Sequence, residues 1–301
     1  MFTIGLFEKS IRFLETNREN KISFAGAVSD NFELENLFKK NKLSDTYINN
    51  AAELINRVIE ESRTSSDHSR LLIDTNKCFA NVIPLDFSEK KEKLNSNILW
   101  ELSNYFPDNY KEFKVSYHKL LSDSYSSQVR DTLIIGILNS NLETLKKLSR
   151  LLNIKITSID IEHFAAEKYF RAIRKSLFKD ENIMVIGSKK SRFDFSIIND
   201  SGCLHYDYYI PRELNFQDNF ANAFIGTEKK YRNLQINNIY LYGDETAADS
   251  YSIINDLSEK SRVFLSNPFY EIGITEKVKT EIVSEGYKYI PLCGLASEAK
   301  K

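Results

Sequence analysis

The sequence predicts a mixed α/β protein built from two similar, strand-rich halves. Three observations predict it. Candidate strands and helices alternate along the chain. The opening Ile4-Gly5 followed by Ser10-Ile11-Arg12-Phe13 returns, with gaps, as Ile186-Gly187 followed by Ser191-Arg192-Phe193, as an old duplication would leave it. At 301 residues, 42% apolar and 12% aromatic, the chain can bury a core large enough for two units.

Taken in order, Phe2 to Leu6, Ser10 to Glu15 and Lys21 to Ala25 read as short strands, split by polar turns such as Thr16-Asn17-Arg18-Glu19-Asn20. Ile48, Ala51, Ala52, Ile55 and Ile59 recur at three- and four-residue spacing and predict a helix. Leu71 to Asp74 and Cys78 to Ile83 read as strands, the second ending at Pro84. A helix capped by Ser88 follows, with Leu94, Ile98, Leu102 and Tyr105 on its apolar face and a stop at Pro107. Two strands, Phe113 to Leu120 and Val129 to Leu138, lead to a helix with a capping box at Ser140 and Glu143 and the stripe Leu142, Leu145, Leu148, Leu152. Ile154 to Ile159 is a strand that feeds a helix through Phe164, Ala165, Tyr169, Ala172 and Ile173.

After the charged break Lys179-Asp180-Glu181 the pattern restarts. Ile183 to Ile186 and Arg192 to Ile198 read as strands, and Asn199-Asp200-Ser201-Gly202 as a hairpin turn into a strand from Cys203 to Ile210. A helix from about Glu213 to Tyr231, a strand Asn238 to Leu241, a helix through Ala247, Ile253, Ile254 and Leu257, and a strand Val263 to Leu265 complete the second half.

Composition excludes several classes of site. The chain has ten glycines and five prolines, less than half the usual combined share. Its two nearest glycines, Gly286 and Gly294, are eight residues apart, so dinucleotide fingerprint, P-loop and nucleophile elbow are all absent. A net charge of −1 and short basic clusters, Lys39-Lys40-Asn41-Lys42, Lys189-Lys190-Ser191-Arg192 and Lys300-Lys301, argue against a nucleic-acid partner; each cluster reads as a solvated turn or end. No apolar run approaches the roughly 18 residues of a membrane span, and Met1 to Lys9 has no basic stretch before its apolar residues. Three dispersed cysteines, Cys78, Cys203 and Cys293, fit free thiols in a reducing, cytoplasmic compartment.

No metal site is expected. Glu162-His163 lacks a second histidine four residues away and reads as a structural helix residue. Cys203 and His205 would share one strand face near Cys293, but no second close-spaced ligand pair accompanies them. Asp74, Asp160 and Asp194 sit at strand ends, as residual metal ligands or as caps. Tyr206, Tyr208 and Tyr209 read as an outer strand or a partner surface.

The order and spacing of four segments resemble the actin-like family of pilus-assembly proteins called PilM, relatives of the cell-division protein FtsA. They are Ile4 to Glu15; Val82-Ile83-Pro84 with Leu94 through Trp100-Glu101 and Tyr105-Phe106-Pro107; Leu133-Ile134-Ile135-Gly136 with the leucine helix and Ile159 to Ala165; and Ile239 to Asp244 with Pro291-Leu292-Cys293-Gly294-Leu295-Ala296. The resemblance implies an actin-like, duplicated RNase H-like α/β fold with two halves around a cleft. The first half would span 1–178, with a small inserted subdomain at about 84–155, and the second 179–301.

The resemblance also places degenerate nucleotide loops at Gly5, Phe7 and Ser10, at Gly187, Lys189 and Ser191, and at Gly243 and Asp244. Aligned on Ser10-Ile11-Arg12, the family's first-strand Asp falls on Gly5 and the loop Gly on Phe7; aligned on Ile4-Gly5-Leu6, they fall on Phe7 and Lys9. In the second loop they fall on Gly187 and Lys189, and the adenosine-loop Gly-Gly becomes Gly243-Asp244. Phosphate needs small residues to reach backbone N–H groups, and metal-bound water needs carboxylates. The expectation is therefore a non-catalytic scaffold with no cofactor, peripheral to the inner membrane through a pilus or secretion-platform partner with a PilN-like tail. Binding or weak hydrolysis of Mg-ATP, or service in another assembly, are the alternatives.

Overall fold

The structure, a computed structural model, describes residues 1–29, 32–39, 44–122, 128–173, 181–211, 215–258, 260–275 and 278–297. Expectations placed on Lys40 to Lys42, Lys179, Asp180, Glu213, Lys300 and Lys301 lie outside the described residues.

Strands β1 (Phe2–Phe7), β2 (Ser10–Thr16) and β3 (Ile22–Val28) form an antiparallel meander. Helices α1 (Leu34–Phe38) and α2 (Ser44–Ser62) return the chain to β4 (His68–Ile73), parallel to β1. Next come β5 (Phe79–Asp86), α3 (Lys91–Tyr105), β6 (Phe113–Lys119) and β7 (Val129–Leu138), whose strands form a separate sheet of order β5-β7-β6. Helix α4 (Asn139–Leu151) leads to β8 (Lys155–Ile161), parallel to β4, and then to α5 (Glu162–Ile173).

The second half repeats the scheme with β9 (Asn182–Lys189), β10 (Arg192–Asn199), β11 (Gly202–Tyr209), α6 (Phe216–Lys230), β12 (Ile236–Gly243), α7 (Thr246–Leu257) and β13 (Arg262–Leu265). The chain closes with α8 (Pro268–Ile272), α9 (Thr280–Ser284) and α10 (Ile290–Ser297). The two large sheets have the same order, β3-β2-β1-β4-β8 and β11-β10-β9-β12-β13. That shared topology is the structural form of the repeated opening in the sequence.

Both faces of each large sheet are covered, which explains why β1 is buried at all six positions. One face of the first sheet packs on α2 and α4 through Ile48, Ile55, Leu145 and Leu148, and one face of the second on α6 and α7 through Phe220, Phe224 and Ile254. Between the halves, α5 and α10 join one core with residues of both sheets, among them Leu72, Val185 and Tyr240. At the α5–α10 crossing a Cβ on Gly294 would lie 1.8 Å from the Ala165 carbonyl oxygen, so only glycine allows that approach. Among the described residues no helix is long and apolar enough to cross a membrane.

Several local expectations differ from the fold. β5 runs through Pro84 to Asp86, because β5 is an edge strand and proline's missing N–H costs no ladder bond there. Ser88 sits in the turn, its N–H and hydroxyl donating to Asp86, and α3 starts from Lys90. α4 is entered from Leu138 with no side-chain cap; Glu143 pairs with Lys146. The inserted sheet spans 79–138, since α4 packs on the first half's core. A β-bulge puts Ile197 opposite His205 and Ile198 opposite Cys203, so Leu204 is the extra residue. Cys203 and His205 consequently point to opposite faces, His205 onto Tyr231 at 4.5 Å and Cys203 toward Glu167.

Candidate functional site

The cleft between the halves is walled by two tight hairpin turns. Phe7 pairs with Ser10, leaving Glu8 and Lys9 at the first tip, and Lys189 pairs with Arg192, leaving Lys190 and Ser191 at the second. A cavity of about 630 Å³ lies between them and the turn after β12. Of the expected loop positions, Phe7, Ser10, Lys189, Ser191, Gly243 and Asp244 line it. Gly5 and Gly187 lie beneath it: a Cβ at Gly5 would meet the Phe7 ring at 2.5 Å, and one at Gly187 the Tyr242 hydroxyl at 2.6 Å. Gly243 is held at φ +148°, where a Cβ would lie 1.9 Å from the Ser188 carbonyl oxygen, which ties β12 to the second hairpin.

Lys189 is the centre of the site. Along β9 it follows Ile183, Val185 and Gly187 on the face that packs toward α5, which carries its four-carbon stem inward. Its Nζ donates to Asp74 Oδ1 at 2.6 Å and to Glu162 Oε2 at 2.5 Å, with all three side chains almost fully buried. Burial pulls the ammonium down, but the Asp74 and Glu162 carboxylates outweigh it and hold Lys189 above its ordinary value. Burial in turn pushes Glu162 up to about 7, against the pull of Lys189. Two carboxylates share one ammonium, so a raised acid is expected among them.

One backbone donor of each hairpin turn is also engaged. Glu8 N–H donates to Asp74 Oδ2 at 3.2 Å and Lys190 N–H to Asp244 Oδ2 at 3.3 Å. Asp244 Oδ1 further accepts from Thr246 N–H and Oγ1, at 2.8 and 2.7 Å. The Phe7 ring, buried, lies under the Arg12 guanidinium at 4.3 Å. Lys190 remains exposed at the rim, and Arg192 is buried against Asp194 at 2.8 Å and the Tyr206 hydroxyl at 2.7 Å.

The other singled-out residues are structural in this setting. His163 is fully buried, bonded to the Tyr242 hydroxyl at 2.8 Å and Ser196 Oγ at 2.5 Å, and burial lowers it to about 4, so it is neutral. Glu167, bonded to Ser196, is pushed by burial up to about 7. Asp74, Asp160 and Asp194 answer three different cations, Lys189, Lys168 and Arg192. Among the described residues no cluster of His, Cys, Asp and Glu could hold a metal ion. Tyr206 is buried and Tyr208 lies under the Arg192 guanidinium at 4.2 Å, so the tyrosine strand covers the sheet. Sequence reading did not foresee Arg12 or the pairing of Glu162 with Lys189; the available signal was a lysine in register with inward apolar residues of a strand.

Two sheets of one topology, joined across a cleft whose walls are the first hairpin of each, define an actin-like protein. The family described as type IV pilus assembly protein PilM matches residues 8–225. The chain belongs to that family. It superimposes on a structure of the PilM-PilN type IV pilus biogenesis complex with a TM-score of 0.74 at 11% identity, covering 100% of this chain and 98% of that one. A Bacteroides thetaiotaomicron protein with an actin-like ATPase fold and unknown function aligns with a TM-score of 0.50 at 14% identity, covering 89% and 90% of the two chains. No curated protein is detectably similar in sequence.

Proposed function

We propose that this chain is a non-catalytic scaffold of a type IV pilus or related secretion platform, which works on the cytoplasmic face by holding the tail of a PilN-type membrane protein. The observation that carries the non-catalytic part is the state of the cleft. Its buried lysine and one amide of each hairpin turn, Glu8 N–H and Lys190 N–H, are satisfied by the chain's own carboxylates. Phosphate would have to displace Asp74 and Asp244 from those amides and bring its charge up to them. The residues present do not fit a Mg-nucleotide. The cavity that remains beside them is the feature favouring the other reading, an ATP-binding protein with atypical loops.

The partner reading is supported by the likeness to a PilM-PilN complex and by a second hollow. A groove of about 390 Å³ runs between the inserted sheet and α5, lined by Leu133, Ile135, Ile159, Phe164 and Arg171. β6 and β8, which both contribute to it, are edge strands of their sheets, and an extended peptide can add to such an edge. Arg171 Nε is buried there without a hydrogen-bond partner among the described residues. A labelled peptide of the partner's cytoplasmic tail should bind the wild type. Ile159→Glu, on the exposed rim of the groove, should weaken binding by about tenfold or more, as expected when a charge replaces an apolar side chain that anchors the peptide. Wild-type protein that binds no such tail, or a variant that binds it unchanged, contradicts the assignment.

A further inference from the structure

We infer that the cleft carries its own closing device: the Lys189 ammonium reaches from the second half to Asp74 and Glu162 of the first, and holds the halves together with no ligand between them. Among the bonds that cross between the halves, three sets border the cleft, at different depths. Deepest is the Lys189 pair of ionic bonds, at 2.6 and 2.5 Å. At the rim, Asn76 Nδ2 donates to Ser191 Oγ at 2.7 Å, and Ser191 Oγ donates to Glu8 Oε2 at 3.0 Å, which links the two hairpin tips directly. On the far side of Phe7, the Arg12 guanidinium donates to the Lys288 carbonyl at 2.9 Å, while Lys288 Nζ is held by Glu245 and Glu285 at 2.9 and 2.8 Å.

The chemistry suits a permanent bridge. A bound ligand closes such a cleft only while its concentration exceeds its dissociation constant, whereas a side chain is present at a fixed, high effective concentration. A lysine ammonium is a compact cation, and both carboxylates to which it donates belong to the opposite half. Both Asp74 and Glu162 stand at element ends of the first half, after β4 and at the first residue of α5. Separating the halves would break both ionic bonds of Lys189 at once, and the chain makes those bonds without nucleotide.

Amide hydrogen exchange on the full chain tests this. Peptides covering Phe7 to Ser10 and Lys189 to Arg192 should exchange slowly in the wild type and at the same rate when Mg-ATP is added. In Lys189→Met both should exchange about tenfold faster while β10 stays protected, the signature of local opening in a folded protein. Should that variant fail to fold, the rim variant Asn76→Ala/Ser191→Ala keeps the question open to refutation, with about threefold faster exchange expected in the same two segments. A folded variant of either kind that leaves both segments at the wild-type rate overturns the inference, as does wild-type exchange there that slows when Mg-ATP is added.

Discussion

Replacing Lys189 with methionine is expected to lower stability by about 3–5 kcal/mol, the usual cost of removing one partner from a buried ion cluster. Methionine fills nearly the same volume, so the loss is electrostatic. Asp74 and Glu162, both almost fully buried, are left facing each other without a cation. The sign of the pH dependence follows. Burial already holds Glu162 up at about 7 and loss of the ammonium removes the pull that opposes it, so the folded form favours its protonation, and the deficit relative to wild type should shrink as pH falls from about 7 toward about 5. The triple variant Lys189→Met/Asp74→Asn/Glu162→Gln removes the charges together and should recover most of the loss. Denaturant titrations of the three proteins at both ends of that pH range measure this. A Lys189→Met variant as stable as wild type near neutral pH would mean the pairing is not formed in solution.

The second large effect is expected at Gly294. Alanine there would place its Cβ 1.8 Å from the Ala165 carbonyl oxygen and 3.0 Å from the Tyr169 amide nitrogen, both backbone atoms of α5. Neither can rotate away, so α10 and α5 must part, at a cost of about 3 kcal/mol or more. The shift would also reach the proposed function, since α5 carries Glu162 at one end and Phe164 and Arg171 along the groove proposed for the tail. Thermal unfolding of Gly294→Ala gives the stability change, and tail-peptide titration the functional one. Gly226 is the control, because nothing lies within 4 Å of a Cβ placed there.

What the sequence made legible follows the range of the forces involved. The short apolar runs of the β1–β3 meander, split by polar turns, and the three- and four-residue spacing in the helix from Ser44 to Ser62 are local signals, and both are readable. The duplication was readable because Ile4-Gly5 and Ile186-Gly187 hold equivalent places in two sheets of one topology. Pro84 misled because a proline ends a central strand but not an edge strand. The Leu204 bulge, which separates Cys203 from His205, depends on pairing with β10 and leaves no mark in β11 itself. In the cleft, Lys189 was visible as a departure from the family pattern. Its partners lie 115 and 27 residues away, so the ion cluster that gives the departure its meaning appears only in three dimensions.

That this actin-like cleft is completed by its own side chains is tested most directly by unfolding the wild-type protein in the presence of excess Mg-ATP. A ligand at about a hundred times its dissociation constant would raise stability by about 2.7 kcal/mol. With Lys189 and one amide of each hairpin turn already engaged, the unfolding midpoint should be the same with and without Mg-ATP, and a saturable rise approaching that size would contradict it.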